Sequence, residues 1–290
     1  CLLFCRNCTV YRNNAIENTF IGIAVMASNV TPSSGYNKIA ENNAMKNGRT
    51  GILLHYDSNN AVVTNNATEN DRTGIEVEVS HNNTITRNNP LTNGQYGIEL
   101  VSSNNNSITG NSVTTNNVGI GAYLSFNNTI YRNNIAKNNY DGIRASNKVI
   151  ANNITENGRY GIYFRDSSAN IVYHNNFINN AMKQAFCSNS MNKWDNSYPS
   201  GGNYWSDKVG LPTELYYDDG AGEIAWAWTT PGGMFAVRFT PPKTGRLINC
   251  TYYLTIDGSI DVKIHIMDAQ RKDIIAPFIR STVGSGVFNI

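Results

Sequence analysis

An internal repeat of about 23 residues constrains the fold of this chain more than any other feature. The dipeptide Gly-Ile recurs at steps of 29, 23, 23, 22, 23 and 19 residues, and its glycines are Gly22, Gly51, Gly74, Gly97, Gly119, Gly142 and Gly161. A second segment travels with it, as in SHNNTITRNN (80–89), SSNNNSITGN (102–111) and LSFNNTIYRNN (124–134). Periods of 20–50 residues are typical of stacked units that bury a shared core.

The apolar residues of one unit have the spacing of short strands. The unit GIEVEVSHNNTITRNNPLTNGQY (74–96) has apolar residues at Ile75, Val77, Val79 and Ile85, with polar turn residues after each segment. Neither segment is long enough for a helix, and alternation with a period of two is typical of strands. We therefore predict a parallel β-helix in which Ile75, Val77 and Val79 point inward.

The asparagines of the repeat are expected to form ladders at its corners. Of 46 asparagines, 44 lie at or before Asn203, which also marks a change in composition. Successive coils of a β-helix lie ~4.8 Å apart, so amides at equal positions can hydrogen-bond along the stack, and asparagine also tolerates the left-handed backbone that a corner needs. One predicted ladder contains one residue per coil: Asn37, Asn60, Asn83, Asn106, Asn128, Asn147 and Asn170. Further ladders are predicted at Asn65/Asn66, Asn88/Asn89 and Asn133/Asn134, and at Asn70, Asn93 and Asn116.

These motifs carry a family resemblance. The pattern GI-x-L-x-x-S-x-N-N-T-I-x-x-N-N resembles the repeat of the NosD and pectin-lyase-like right-handed β-helix families, which include carbohydrate-binding proteins and sugar hydrolases. NKWDN (192–196) and GGNYWSD (201–207) are similar to the closing coil of NosD-like repeats. The resemblance covers about residues 1–207 and implies an all-β fold that begins with a single-stranded right-handed parallel β-helix of about eight coils.

Residues 208–290 have a different composition and are predicted to be a second domain. The segments YYLTI (252–256) and VKIHIM (262–267) alternate between apolar and polar residues, with Gly/Pro turns nearby and no helical pattern. This favours a small antiparallel β-sandwich, which we expect to be incomplete because the chain stops in a segment with strand character. Trp226 and Trp228 lie on one face of a predicted strand, where they pack in a core or form an aromatic platform for sugars.

The strand after each Gly-Ile is the best candidate for a binding face. Side chains alternate along a strand, so Glu76 and Glu78 point outward and Glu76 lies beside Glu99 on the next coil. Like charges at that distance repel each other unless a cation lies between or beside them. The candidate site residues are Glu76, Glu78, Glu99, Arg144, Tyr163, Arg165, Tyr123 and His55.

Several functions are compatible with this face. The first hypothesis is a non-catalytic module that binds polysaccharide or has a structural or adhesive role. The alternative is a polysaccharide lyase, hydrolase or epimerase, because the pectate-lyase-like enzymes that the fold resembles use calcium and an arginine base. Carboxylate oxygens suit Ca²⁺ and arginine suits a uronate carboxylate, so Ca²⁺ is the candidate cofactor at Glu76 and Glu99.

A third possibility is the periplasmic copper-binding role associated with NosD. Copper favours His, Cys and Met ligands, but His55, His81, His174 and His265 are scattered along the chain. The spacing of Cys1, Cys5 and Cys8 is C-x3-C-x2-C, yet the repeat alignment puts Cys5 over Ser80 and Cys8 over a ladder asparagine. We therefore expect ordinary coil positions there, and the five cysteines predict no disulfide framework.

Charge and hydropathy bear on the partner and the location. The net charge is +2 at pH 7, and no block of like charges suggests nucleic-acid binding. No apolar run is long enough to span a membrane. The family resemblance implies an extracellular, cell-surface or periplasmic location. Because the chain begins at Cys1 inside a repeat, we expect it to be a fragment.

Overall fold

The fold was analysed in a computed structural model. It describes residues 1–28, 34–144, 147–165, 167–188, 191–196 and 202–206, together with the backbone of 251–254, 259–264, 278–283 and 286–289; at 147 only the backbone is described. The described residues form strands and no helix. Three parallel sheets run the length of residues 1–206 and contain nine, eight and nine strands, one strand per coil in each sheet. The predicted parallel β-helix of about eight coils is confirmed.

The first sheet contains the six-residue strands that hold the Gly-Ile repeat, and we call it the long-strand sheet. Its strands are Leu2–Leu3, Ile21–Met26, Thr50–His55, Thr73–Glu78, Tyr96–Val101, Val118–Tyr123, Ile143–Arg144, Tyr160–Arg165 and Lys183–Ser188.

The other two sheets are built from shorter strands. The second sheet contains Thr9–Tyr11, Lys38–Ala40, Ala61–Val63, Thr84–Thr86, Ser107–Thr109, Asn128–Tyr131, Asn147–Ile150 and Ile171–Tyr173. The third sheet contains Asn14–Ile16, Asn43–Met45, Asn66–Thr68, Asn89–Leu91, Ser112–Thr114, Asn134–Ala136, Asn153–Thr155, Asn176–Ile178 and Tyr204–Trp205.

The core is a set of stacked apolar columns, one or two from each sheet. Ile75 pairs in register with Ile52 and Ile98, and all three are completely buried. Burial of a branched aliphatic side chain contributes roughly 1.5–3 kcal/mol, so a column repeated on every coil is the main source of stability. Aromatic rings close the stack at its C-terminal end, where Phe177 stacks on Trp205 with ring centroids 4.5 Å apart.

The glycine of each Gly-Ile pair is required by space inside the coil. A Cβ atom at Gly74 would lie 2.7 Å from the carbonyl oxygen of Gly97 and 2.8 Å from Nδ2 of Asn93. The same steric conflict, with the glycine and the ladder asparagine of the next coil, recurs at Gly51. The repeat therefore keeps glycine where a strand and an internal amide ladder approach each other.

Three buried asparagine ladders follow the corners. In one of them Oδ1 of Asn83 accepts from the backbone N–H of Asn60 at 2.8 Å and from its Nδ2 at 3.1 Å. This confirms the predicted ladder through Asn37, Asn60, Asn83, Asn106 and Asn128, and Asn170 continues it to Asn192. The backbone of Asn147 pairs with Asn128 as expected, but its side chain lies outside the described residues.

The other two ladders differ in detail from the prediction. Of each predicted pair, only Asn65, Asn88 and Asn133 belong to the buried ladder. Their neighbours Asn66, Asn89 and Asn134 begin strands of the third sheet and face outward, where Asn89 bonds Asn66 at 3.1 Å. The third ladder contains Asn70, Asn93 and Asn116, as predicted.

The left-handed backbone at the corners is held by the residue before each ladder asparagine. Asn82 has a φ of 57° and Arg87 a φ of 56°, one residue before Asn83 and Asn88. In an Asn-Asn pair the first residue therefore makes the turn and the second joins the ladder. Val79 has a φ of 47° and is half-buried, so the prediction that it points inward with Ile75 and Val77 is wrong. It bends the chain out of the strand instead.

The first coil differs from the sequence-based expectation in its cysteines. Cys8 does occupy the ladder position, since its N–H donates to Oδ1 of Asn37 at 2.9 Å. The sulfur atoms of Cys5 and Cys8 are joined in a disulfide, which the cysteine pattern did not predict. Cys1 and Cys187 are free and exposed.

The described strands beyond the solenoid form a separate unit. Thr251–Leu254 pairs with Gly286–Asn289, and Ser259–Ile264 pairs with Phe278–Val283, both antiparallel. The antiparallel character agrees with the prediction, while a complete sandwich is not shown. The expected boundary between residues 207 and 208 lies outside the described residues, as do Trp226 and Trp228.

Candidate functional site

The outward side chains of the long-strand sheet form a continuous surface, which we call the strand face. The backbone register pairs Glu76 with Leu53 and Glu99, and Glu99 with Gly121. Gly121 in turn pairs with Arg144. The register therefore confirms the predicted column that brings Glu76 and Glu99 onto adjacent coils.

Two arginines neutralise the paired glutamates. Arg72 lies 3.8 Å from Oε1 of Glu76 and 3.5 Å from Oε2 of Glu99, and so bridges the two carboxylates. Arg49 approaches Oε1 of Glu76 at 3.6 Å. The cation that the like-charged pair requires is thus supplied by the protein itself.

Threonine hydroxyls complete the coordination of these carboxylates. Thr50 donates to Glu76 at 2.6 Å and Thr73 donates to Glu99 at 3.1 Å. The pKa of Glu99 is raised, chiefly because burial penalises the charged form, although Arg72 acts in the opposite direction. With guanidinium and hydroxyl groups in place around both carboxylates, the geometry favours an internal ion network over the predicted Ca²⁺ site.

His55 and Glu78 form a second, more exposed pair. The two residues occupy the next outward column on adjacent coils, and Nδ1 of His55 lies 2.9 Å from Oε2 of Glu78. Their side chains are 23% and 34% exposed, so the pair is accessible from solvent. An imidazole held by a carboxylate is an arrangement found in general acid–base catalysis.

An arginine–aromatic cluster lies further along the strand face. Asp141 is fully buried and bonds Nε of Arg144, while Arg159 lies 3.7 Å from its other oxygen. The rings of Tyr160 and Tyr163 stack with centroids 5.6 Å apart, and the Arg159 guanidinium lies over both. The predicted residues Arg144 and Tyr163 therefore do meet.

A depression of about 160 Å³ lies between the acidic residues and this cluster. It is lined by Tyr96, Glu99, Gly121, Ala122, Tyr123 and Arg144. Three of the predicted residues, Glu99, Tyr123 and Arg144, are therefore brought together. Glu76, Glu78 and His55 lie on earlier coils, and Arg165 lies at the exposed end of a later strand.

The described residues do not fit a copper site. No group of three or more His, Cys, Asp or Glu side chains converges anywhere in the described part of the chain. His55 pairs with Glu78 on the strand face, whereas Nδ1 of His81 accepts the N–H of Asn104 near a corner. His174 occupies another corner with a φ of 58°, and His265 lies outside the described residues.

Sequence reasoning missed the residues that hold the acidic ones in place. Arg49, Arg72 and Arg159 each stand two residues before the glycine of a Gly-Ile pair, and Asp141 stands one residue before Gly142. The recurrence of arginine at that repeat position was the available signal.

The fold and this face together define a class of protein: parallel β-helices with a polar, charged strand face. Within that class the chain belongs to the NosD family, described as periplasmic copper-binding protein (NosD). The family model matches residues 1–141 and 113–210, which together span more than half of the chain. The family name agrees with the expected location outside the cytoplasm. No helix in the described segments has the length and apolarity needed to cross a membrane.

Solved structures with a related backbone were also found. The periplasmic alginate epimerase AlgG is 19% identical over 64% of this chain and 46% of its own, with a TM-score of 0.43. The A-module of the Azotobacter vinelandii mannuronan C-5 epimerase AlgE4 is 16% identical over 69% of this chain and 64% of that module, with a TM-score of 0.45. The chain thus spans about half the length of the AlgG structure. No curated protein sequence matches this chain.

Proposed function

We propose that this protein is a non-catalytic β-helix module that binds polysaccharide on its strand face, outside the cytoplasm. The observation that supports the proposal is that charged and aromatic side chains are concentrated on the strand face. The strand face has two ion networks, a row of stacked aromatic rings and a depression. The outward residues of the third sheet are instead mostly short and polar, such as Asn66 and Thr114.

The aromatic row supplies a rigid ligand surface. Tyr160 and Tyr163 lie on one strand and Phe186 on the next coil, with ring centroids 5.0–5.6 Å apart. Tyr160 is buried, so the half-buried Tyr163 and Phe186 offer the edges of the row to a ligand. Tyrosine hydroxyl groups at such edges bond sugar hydroxyls, and the rings lose little conformational entropy on binding. The network of Asp141, Arg144 and Arg159 holds two guanidinium groups beside this row.

The carboxylates of the face favour binding over catalysis. Glu76 and Glu99 are held by arginines and threonines, so neither is free to move onto a substrate. A general base needs a proton within hydrogen-bond reach and a suitable pKa. The His55–Glu78 pair is accessible and offers an imidazole and a carboxylate, but it lies outside the lining of the depression.

Affinity measurements with a panel of glycans test the proposal. The 290-residue protein is titrated with polyuronates and neutral polysaccharides, and the double variant Arg144→Gln/Arg159→Gln is compared with wild type. Hydrogen bonds to charged groups contribute about 1.5–3 kcal/mol, so we expect the double variant to bind an anionic glycan about 10- to 100-fold more weakly.

A matched control separates the site from net charge. Arg87→Gln/Arg132→Gln removes the same charge at corners of the repeat, where both residues are exposed and have a φ near 55°. We expect this control to bind like wild type. Equal weakening in both double variants means that attraction is non-specific, and absence of binding to every glycan overturns the proposal.

A second candidate function is a polysaccharide lyase, hydrolase or epimerase. The raised pKa of Glu99 favours it, because a carboxyl group that stays protonated at higher pH can act as a general acid at the depression. Prolonged incubation with each polyuronate, followed by mass and NMR analysis of the products, decides between the two functions. Shortened, unsaturated or epimerised chains that disappear in Glu99→Gln identify an enzyme.

A further inference from the structure

The depression on the strand face has a floor that only glycine allows. Gly121 lies between Glu99 and Arg144 in one outward column. A Cβ atom at Gly121 would lie 2.5 Å from Cε1 and 2.7 Å from Cδ1 of Tyr96, so the tyrosine ring occupies the space of the missing side chain. An aromatic ring therefore lies across the floor between a carboxylate and a guanidinium.

The turn that follows Arg144 is shorter than the equivalent turn of the preceding coil. Gly121 pairs with Arg144 and Asn128 pairs with Asn147, yet six residues lie between Gly121 and Asn128 and only two between Arg144 and Asn147. The turn from the long-strand sheet to the second sheet therefore has four residues fewer on the later coil. We call this difference in turn length the step.

The step coincides with an exposed aromatic turn. Tyr123, Leu124 and Phe126 belong to the preceding coil and are 67%, 58% and 57% exposed. The equivalent residues one coil earlier, Val101, Ser102 and Asn104, are all half-buried. Tyr123 also lines the depression, so the exposed surface and the depression are continuous.

The guanidinium of Arg144 has free donors at this place. Its Nε bonds Asp141, and among the described residues neither terminal nitrogen makes a hydrogen bond or ion pair. Two parallel N–H groups are suited to a carboxylate. On the opposite wall, Glu99 lines the depression, and a carboxylate has enough acceptor sites to take a sugar hydroxyl in addition to the Thr73 hydroxyl.

We propose that the depression is a subsite for one carboxylate-bearing sugar residue. The carboxylate of the sugar binds Arg144, the sugar hydroxyl groups donate to Glu99, and the apolar face of the sugar ring lies on Tyr96. The depression has a volume of about 160 Å³, which leaves room for one sugar residue and not for a longer segment. The rest of the glycan continues along the exposed Tyr123. This inference rests on the proposed function.

The test compares a uronate trisaccharide with the same trisaccharide after reduction of its carboxylates to hydroxymethyl groups. Binding is followed by calorimetry on the 290-residue protein. We expect wild type to prefer the uronate at least tenfold, and Gly121→Ala to reduce that preference to within about twofold, because the added carbon displaces the Tyr96 ring. Gly110→Ala is the matched control, since nothing lies within 4 Å of its added carbon.

A second variant keeps the inference testable when Gly121→Ala folds poorly. Tyr123 is mostly exposed, so Tyr123→Ala leaves the fold intact, and we expect it to weaken uronate binding about fivefold, the size of one aromatic contact. If Gly121→Ala and Tyr123→Ala both bind the uronate trisaccharide like wild type while Arg144→Gln/Arg159→Gln binds it more weakly, the subsite is wrong and the proposed function stands. If wild type binds neither the trisaccharides nor any polymer, the subsite and the proposed function are both overturned.

Discussion

Replacement of one ladder asparagine in the middle of the stack is expected to be among the most destabilising single changes. Asn88 is 1% exposed. Its Oδ1 accepts from the backbone N–H and from Nδ2 of Asn65 at 2.9 and 3.0 Å. Its Nδ2 donates to the carbonyl of Val62 at 2.9 Å and to Oδ1 of Asn111 at 3.0 Å. Asn88→Ala removes all four of these hydrogen bonds.

The magnitude follows from the number of groups left without a partner. A net contribution of about 1 kcal/mol per hydrogen bond gives roughly 4 kcal/mol for Asn88→Ala. The N–H of Asn65 and the carbonyl of Val62 are buried and lose their only side-chain partner, so relaxation of the coil does not recover these bonds. Water cannot reach them without opening the stack.

The neighbouring residue provides the control. Asn89 is exposed and makes one side-chain bond, to Asn66 at 3.1 Å. We expect Asn89→Ala to change the free energy of unfolding by no more than about 0.5 kcal/mol. Both variants are unfolded with urea and followed by far-UV circular dichroism, and the slope against urea must match that of wild type for the comparison to hold. Equal losses for the two variants would refute the view that the buried ladders stabilise the solenoid.

Three further predictions concern single sites. Asp57 is buried, its Oδ2 has no partner and burial raises its pKa, whereas later coils have Ser80 and Ser103 at the same position. We therefore expect Asp57→Ser to raise the free energy of unfolding at pH 7 by about 1 kcal/mol, measured by urea unfolding. This gain in stability should shrink on acidification, because Asp57 of the wild type then becomes protonated. Gly74→Ala should lower the free energy of unfolding by about 1–3 kcal/mol, because the added carbon overpacks against Gly97 and Asn93. Gly110 lies in open space with a φ of 64°, so Gly110→Ala should lower it by only about 1 kcal/mol. Because the pKa of Glu99 is raised in the folded state, the free energy of unfolding of wild type should fall as pH rises from the ordinary carboxyl pKa of 4.5. Glu99→Gln should show a weaker dependence of this free energy on pH between pH 4 and 7. An equal dependence in wild type and Glu99→Gln would contradict the raised pKa of Glu99.

The features that sequence reasoning predicted best are those that depend on the repeat alone. The column that joins Glu76, Glu99 and Arg144 and the ladder through Asn83 both follow from alignment of equal positions. Val79 was assigned to the core by alternation, but a left-handed residue interrupts the strand there. Local periodicity does not indicate where a strand ends, because the corner geometry depends on the ladder behind it.

The period of the repeat by itself determined the parallel β-helix, the apolar columns and the neighbours of each outward residue, because one register repeats along the whole stack. Only the tertiary structure decided that Arg72 bridges Glu76 and Glu99 and that Tyr96 lies over Gly121. These contacts join residues 4–27 positions apart across two coils. They depend on side-chain reach and on the absence of a Cβ atom, neither of which a one-dimensional pattern contains.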